Sequence, residues 1–583
     1  MKYCLYILTC FVVSLQINAQ KNSSNSDRPN IILILSDDMG YSDIGCYGGE
    51  INTPNLDMLA NDGLRYTRFY NTSRCCPSRA SLMTGLYPHQ AGMGWMTSHP
   101  YPGTGYTAEL NNNCVTIAEV LKQAGYSTFM TGKWHLCKKE DASAPVIIDN
   151  RKYDWPLQRG FDKFYGILHG AANYFDPGTL CRDNKRISPL NDKEYQPKEY
   201  YFTNAVSDNS VKFIKERDKA KPFFMYVAYT AAHWPMQAPE KEIQKYKGRY
   251  DDGYDTIRNA RFQRMKKLGV IDNDIQLSPP DEEAAPSWDK EKNKAAMARR
   301  METYAAMIDV MDQGIGRIIE ELKREGLYDN TIIIFLQDNG GCHELIGSGD
   351  NRTVAANPDS VIQLSKESIQ LEADPPFTRD GKPVRQGKDV MAGPADTYVS
   401  YMRQWANVSN TPFRMYKHWV YEGGISTPLI VHWPNGIKDR GALRNQTGHE
   451  IDILPTLAEL AKTNYPSTFK GNQITPVEGV SLVSTFSNKT LAPRTIYWEH
   501  EMNKAVHMGK WKLVRRSEML DGRGGAWKYY QSEPWELYNI EEDRSELNNL
   551  ADKYPDLVKQ MAAMWEEWAY KAKVLPAPWK EKK

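Results

Sequence analysis

Five apolar residues in a row, Ile31, Ile32, Leu33, Ile34 and Leu35, fill the segment between Pro29 and Ser36. A run without polar alternation predicts a strand buried on both faces, as in a parallel sheet. Similar short runs recur at 127–131, 222–228, 331–336 and 429–432. Val115 to Ala124 reads as a helix that passes through Gly125 into the strand at Ser127. Met301, Tyr304, Ile308, Met311, Ile315, Ile318 and Leu322 recur at steps of three and four, which places them on one face of a long helix. Strands separated by helices predict an α/β sheet.

Two stretches break the pattern. Residues 250–294 are charged and contain Pro279, Pro280 and Pro286, while 343–410 are rich in polar and turn-forming types. Both are predicted as surface excursions, and the second as part of a substrate rim, because long loops in a compact domain usually cover a site. Beyond Thr490 the runs become short and β-like, at 495–499, 511–515 and 535–539, and a helix from Pro555 to Lys571 follows. The predicted organisation is a large α/β domain over 28–488 and a smaller C-terminal α+β subdomain over 489–583.

The chain has 583 residues, more than one ordinary domain requires. Its first 20 residues, MKYCLYILTCFVVSLQINAQ, combine one Lys, an apolar run to Leu15 and a small-residue ending near Ala19. They read as a secretory signal peptide over 1–20, too short in apolar length for a membrane anchor. The expected location is exported, periplasmic or extracellular, with no stable membrane insertion. Lys and Arg number 73 against 72 Asp and Glu, so no global field draws nucleic acid, and anion specificity must be local. Two of the nine cysteines lie in the leader. The rest (Cys46, Cys75, Cys76, Cys114, Cys137, Cys181, Cys342) are odd in number, so at least one thiol is unpaired.

Ligands in doubly wound sheets sit beyond the carboxyl ends of strands. Asp37 and Asp38 follow the first predicted strand, and Asp338 and Asn339 follow the one ending at Leu336. All four offer the oxygen donors that calcium or magnesium prefers, although one such pair alone is more often a turn or helix cap.

The segment Cys75-Cys76-Pro77-Ser78-Arg79-Ala80-Ser81-Leu82-Met83-Thr84-Gly85 resembles, over its whole length, the signature of the type I sulfatases, the formylglycine-dependent, arylsulfatase-like branch of the alkaline phosphatase superfamily. The resemblance implies an alkaline-phosphatase-like fold, with a large mixed or parallel sheet flanked by helices. It also implies that a maturation enzyme oxidises Cys75 to formylglycine, an aldehyde that hydrates to a geminal diol. Arg79 belongs to the motif, and Cys76 takes its variable, packing position. By the same resemblance one calcium ion is held by Asp37, Asp38, Asp338, Asn339 and the modified Cys75. The segment Thr131-Gly132-Lys133-Trp134-His135 brings Lys133 and His135 to the pocket, Ala232-His233-Trp234-Pro235 brings His233, and Tyr416 to Ile425 brings Lys417. Ser426 stands where many family members have Arg, which implies a different loop partner. A family serine near the sulfate has no counterpart around Gly166 to Gly170. Trp511-Lys512-Leu513 and Trp535 to Asn539 resemble the closing segment of bacterial members, and His500 and Asn503 beside it are candidate substrate contacts.

The chemistry implied is hydrolysis of a sulfate monoester, an anion that repels nucleophiles and has a poor alkoxide leaving group. Calcium, Lys133, Lys417 and Arg79 would supply positive charge. His233 and Lys417 would donate to the leaving oxygen, a contribution on the order of a hundred- to ten-thousandfold in rate. Asp338 would accept the proton of the attacking hydroxyl, and His135 that of the second hydroxyl, so that the aldehyde reforms. Export, the polar rim, and 15 Trp and 34 Tyr suited to sugar stacking point to a sulfated carbohydrate. A phosphodiesterase or phosphonate monoester hydrolase of the same superfamily is the alternative enzyme. An inactive glycan-binding protein would need a key residue missing, and none is.

Overall fold

The computed structural model describes residues 28–144, 152–280, 285–520 and 528–582. The leader read at 1–20 lies outside the described residues. Eleven strands form one sheet: β1 (Asn30–Ser36), β2 (Leu64–Tyr70), β3 (Ser127–Lys133), β4 (Lys163–Ile167), β5 (Leu180–Arg182), β6 (Lys185–Arg186), β7 (Phe223–Ala228), β8 (Thr331–Gln337), β11 (Ser426–His432), β12 (Ala442–Arg444) and β13 (Gly448–His449). The pair β9 (Arg352–Thr353) and β10 (Arg385–Gln386) stands apart. The spatial order is β12-β2-β11-β8-β1-β7-β3-β4-β5-β6, with β13 against β2. The centre, β8-β1-β7-β3-β4, is parallel, while β11 runs antiparallel to both β8 and β2.

The unbroken apolar run of β1 has the predicted cause. Ile32 and Ile34 enter the core on one side of the sheet, and Ile31, Leu33 and Leu35 enter the core on the other. Strand β8 divides in the same way, with Ile333 and Phe335 opposed to Ile332, Ile334 and Leu336. Each such side chain contributes about 1.5–3 kcal/mol by burial. The long helix Lys294–Arg324 packs its apolar stripe on the first of these cores. Among the described residues no helix is long and apolar enough to cross a membrane.

The predicted excursion at 250–294 contains a helix, Gly253–Leu268, that the polar sequence concealed. Its buried face mixes Tyr254, Phe262 and Met265, which enter the first core, with two arginines: fully buried Arg261 binds Asp43 and Glu50, and Arg258 donates to Ser278 O. Charge pairing adds to apolar packing in docking this helix. Of the predicted excursion at 343–410, residues 343–401 are irregular apart from β9 and β10, while Met402–Ser409 form a short helix.

After the small hairpin β14 (Thr468–Phe469) and β15 (Asn472–Gln473), an antiparallel sheet of order β16-β17-β18-β21 is built from β16 (Thr495–His500), β17 (Asn503–Met508), β18 (Trp511–Arg515) and β21 (Glu536–Asn539). Beside it β19 (Ser517–Leu520), β20 (Tyr529–Ser532) and β22 (Lys580–Glu581) pair, and the helix Pro555–Lys571 covers β17 and β18. A buried charge knot ties this unit to the large sheet. Lys512 Nζ reaches Glu422 Oε1 and Glu546 Oε1, both at 2.9 Å. Arg544 donates to Glu422 Oε2 (3.0 Å) and to Ser426 Oγ (3.3 Å).

Candidate active site

The sequence-predicted polar residues converge beyond the carboxyl ends of β1, β2, β3, β7 and β8. Asp37 and Asp38 leave β1, Asp338 and Asn339 leave β8, and Lys133 ends β3. Cys75 opens the helix Cys75–Thr84 just after β2, and every residue of that helix is buried. Gly85 closes it in the left-handed region. Gly132 also lies at positive φ, and a Cβ there would meet Ala228 O at 1.9 Å, so only glycine lets β3 deliver Lys133 beside β7.

Arg79 is fully buried and bridges the acids, with Nε and Nη2 on Asp338 Oδ2 (3.0 and 2.9 Å), Nη2 3.3 Å from Asp37 Oδ2, and Nη1 on Lys133 O. Lys133 Nζ donates to Asp37 Oδ2 at 2.5 Å. Lys417 Nζ reaches Asp38 Oδ1 and Oδ2 (2.7 and 2.9 Å), and His233 Nε2 lies 3.3 Å from Asp38 Oδ2. Asn339 donates through Nδ2 to Asp38 Oδ1 at 2.7 Å.

These donors suit a hard cation. Asp37 Oδ1 and Asn339 Oδ1 are buried and have no hydrogen-bond partner, an arrangement that is costly unless a further group accepts their lone pairs. Burial pushes the carboxyl of Asp37 up to about 6, against the pull of Lys133 and Arg79. Burial, with the charge of Asp37 beside it, pushes Asp338 up to about 7. A divalent cation removes both penalties, and Asp37, Asp38, Asp338 and Asn339 are the oxygens that would hold it. Asp38 keeps a lowered pKa because His233 and Lys417 outweigh its burial.

Position 75 favours negative charge. The Cys76 thiol hydrogen-bonds it, Lys133, His135 and Lys417 surround it, and together they hold the Cys75 thiol well below its ordinary range. Its place at the first turn of a helix adds the positive end of the dipole. Burial pushes His135 down to about 4, so its imidazole is neutral, and Nδ1 has no partner. Gly170 makes room for that ring: a Cβ there would come within 2.4 Å of His135 Cε1. Burial likewise takes His233 down to about 4. Its Nδ1 donates to Trp234 O at 2.7 Å, which leaves Nε2 as the lone-pair nitrogen facing Lys417 at 3.5 Å.

All of the residues read as nucleophile, base, cation or metal ligand therefore share one buried site. The two candidate substrate contacts do not line it. Asn503 is fully buried, with Oδ1 accepting from Ser517 N and Nδ2 donating to His500 O, so both ends of its amide hold the β16–β17 turn. His500 is also fully buried, behind His418 and Glu501. Cys76 packs under Trp95 O as expected. All seven described cysteines are free, so the odd thiol is one of seven.

Sequence reasoning missed the rim. Arg74 pairs with Glu344 at 3.0 Å, and Trp234 Nε1 donates to Glu344 Oε2 at 2.5 Å. His418 Nδ1 lies 3.2 Å from Glu501 Oε2, and Trp95 Nε1 donates to Glu501 Oε1 at 2.6 Å. The one available signal was adjacency: Arg74, Trp234, His418 and Glu501 each neighbour a residue already singled out.

Comparison with known proteins agrees with this geometry. The Sulfatase family model matches residues 29–463, and the model for the C-terminal part of N-sulphoglucosamine sulphohydrolase matches 413–571. An uncharacterized sulfatase of Schizosaccharomyces pombe is 32% identical over 96% of this chain and 97% of its own length. An arylsulfatase of Klebsiella aerogenes is 34% identical over 81% of this chain and 94% of its own. A structure solved in complex with its substrate, D-glucosamine-2-N,6-O-disulfate, superposes with a TM-score of 0.58 at 21% identity, covering 94% of this chain and 99% of that one. The chain thus belongs to the type I sulfatase family, the hydrolases of sulfuric esters.

Proposed function

We propose that this sulfuric ester hydrolase removes sulfate from an esterified carbohydrate, with Cys75 oxidised to formylglycine and one calcium ion held by Asp37, Asp38, Asp338, Asn339 and position 75. The observation that supports it best is Arg79, which locks Asp37 and Asp338 together one helical turn from Cys75. The hydrated aldehyde supplies an oxygen nucleophile with a second hydroxyl for release of sulfate, and calcium supplies positive charge for the sulfate oxygens. Lys133 and Lys417, both fully or almost fully buried, add cationic charge where water is scarce and electrostatic stabilisation is strongest. Lys417 is the proton donor to the leaving oxygen, because neutral His233 presents a lone pair toward its ammonium and orients it. Asp338 would accept a proton from position 75, and neutral His135, which burial holds down at about 4, would accept the next.

Hard oxygen ligands, with neither thiolate nor neutral imidazole among them, favour calcium over zinc. The carbohydrate assignment is supported by the sulfated sugar in the related complex and by the polar rim over 343–401. An exported location belongs to the same proposal and rests on the leader at 1–20. The test is peptide mass spectrometry of the Cys75 fragment from the native source, followed by release of sulfate from sulfated saccharides, with phosphate diesters and phosphonate monoesters in parallel. Aldehyde at position 75 with sulfate released from a saccharide supports the reading. An unmodified thiol in folded native protein, or preference for a phosphorus ester, overturns it.

A further inference from the structure

Beside the sulfate site lies a second group of ligand-type side chains that the proposed chemistry does not use. His418 follows Lys417 and is fixed through its backbone N–H to Ser73 O at 2.8 Å. His500 and Glu501 come from the turn between β16 and β17. One ligand atom from each of the three lies within 4.8 Å of those of the other two. His418 Nδ1 and Glu501 Oε2 are 3.2 Å apart, and His500 Nε2 and Glu501 Oε1 are 3.8 Å apart. The two imidazoles stand edge to face, with centroids 5.5 Å apart at 86°.

Hydrogen bonding does not account for His500. Its side chain has 0% exposure, and neither Nδ1 nor Nε2 has a hydrogen-bond partner. A neutral imidazole must carry a proton on one nitrogen, so one donor and one acceptor are buried unused, which is costly unless a further group engages them. The backbone here is also unusual: His418, Glu501 and Met502 all have positive φ, at 93°, 47° and 63°. Sparsely populated backbone of this kind persists where surrounding structure enforces it, often at ligand sites. Glu501 is held from outside the group by Trp95 Nε1 at 2.6 Å, which fixes its carboxylate toward the histidines.

We propose that His418, His500 and Glu501 form a second divalent-cation site, of the zinc class, at the mouth of the sulfate pocket. Two imidazoles and one carboxylate are borderline donors that favour zinc and its neighbours over calcium, in contrast to the oxygen set beneath. Tetrahedral bonds of about 2.0–2.1 Å give donor separations of about 3.3 Å. The His418–Glu501 Oε2 edge already has that length, and, with the three ligand atoms all within 4.8 Å of one another, His500 needs to draw in around the ion. Burial keeps both histidines largely unprotonated, His500 down to about 3, so their lone pairs are available. His418 and Glu501 retain 19% and 13% side-chain exposure, which leaves an entry path. Three protein ligands leave one position open for water or a hydroxyl of the bound alcohol. The cation would thus hold the leaving group beside Arg74, one residue from Cys75, whatever ester the pocket takes.

The test uses the full chain, stripped with chelator and reloaded with excess calcium. Zinc chloride titrated by calorimetry is expected to bind once per chain, and anomalous diffraction at the zinc edge to place a peak between the three residues. His500→Gln and Glu501→Gln are each expected to weaken zinc binding by about a hundredfold or more. Cys75→Ala is expected to leave it unchanged, which separates this site from the neighbouring Cys75, Cys76 and His135 group. No zinc peak in wild-type crystals, or zinc binding that survives His500→Gln and is lost in Cys75→Ala, overturns the proposal, and the diffraction arm does not depend on any variant folding.

Discussion

Lys512→Met is expected to cost more stability than almost any substitution outside the apolar core. Lys512 is 1% exposed, and its ammonium pairs with two carboxylates, Glu422 Oε1 and Glu546 Oε1, each at 2.9 Å. In the intact knot Lys512 and Arg544 balance Glu422 and Glu546. Methionine fills similar volume yet leaves two buried acids against one guanidinium, and breaking a buried pair in this way costs about 3–5 kcal/mol. The cost depends on pH. Burial pushes Glu546 up to about 7, while Lys512 and Arg544 overcome the burial of Glu422 and pull it down to about 2. A raised carboxyl contributes stability that is fully present below the ordinary value of 4.5 and is lost as pH rises through about 7. Near pH 8 both acids are charged in the intact protein, so the interaction that the variant loses is largest there. Near pH 6 Glu546 already carries a proton, so the loss is smaller. Urea unfolding followed by tryptophan fluorescence at the two pH values measures this, provided the slope with denaturant is compared. The double variant Lys512→Met/Glu546→Gln restores charge balance and is expected to recover about 2 kcal/mol at pH 8. A single-variant loss below about 1 kcal/mol at both pH values, or a double variant no more stable than the single, would refute the reasoning.

Four further outcomes follow from the site. Gly170→Ala is expected to lower kcat/KM about a hundredfold with little change in melting temperature, since its Cβ displaces the His135 ring by about an ångström; near-normal kinetics would remove His135 from the reaction. Calcium affinity by calorimetry is expected to weaken steadily from pH 7.5 to 5.5, because Asp338 and Asp37, raised to about 7 and about 6 in the metal-free protein, must release protons to bind; a flat profile would exclude them as ligands. At neutral pH, chelation is expected to destabilise the fold by about 2.7 kcal/mol relative to calcium at a hundred times its dissociation constant, read as a shift in melting temperature that calcium reverses. Arg79→Lys keeps the charge but loses the two-pronged hold on Asp338, so calcium binding is expected to weaken about tenfold or more even where the protein remains folded.

The central sheet was legible because its strands are buried on both faces and their runs carry no competing signal. Ile31 to Leu35 and Thr331 to Leu336 appear where expected. The site was legible for a related reason: parallel topology sends several strand ends to one edge, and polar residues directly after apolar runs mark that edge. The elements that escaped are those held by charge. In the helix Gly253–Leu268 the apolar positions Tyr254, Phe262 and Met265 are interrupted by Arg258 and Arg261, whose acid and carbonyl partners lie elsewhere in the sequence. Asn503 was misjudged because proximity to a pocket-facing strand says nothing about which bonds its amide has already made.

Ser426 shows how such distant partners can complete a departure seen in one segment. The sequence at 422–426 resembles the family segment except for the arginine expected after Ile425, and that change implies a different loop partner. The structure supplies a guanidinium from the C-terminal unit instead. Arg544 reaches Ser426 Oγ and Glu422 Oε2, and its guanidinium lies over the Tyr41 and Phe413 rings. Serine is small enough to admit that side chain, whereas a second arginine at 426 would bring two buried cations together over one carboxylate. The C-terminal unit thereby becomes a structural part of the loop that presents Lys417, five residues before Glu422, to the sulfate pocket. Arg544→Ala is accordingly expected to lower both stability and kcat, while Arg544→Ala/Ser426→Arg recovers part of each. If the paired change is worse than Arg544→Ala alone in both measurements, the two positions do not share one cationic role.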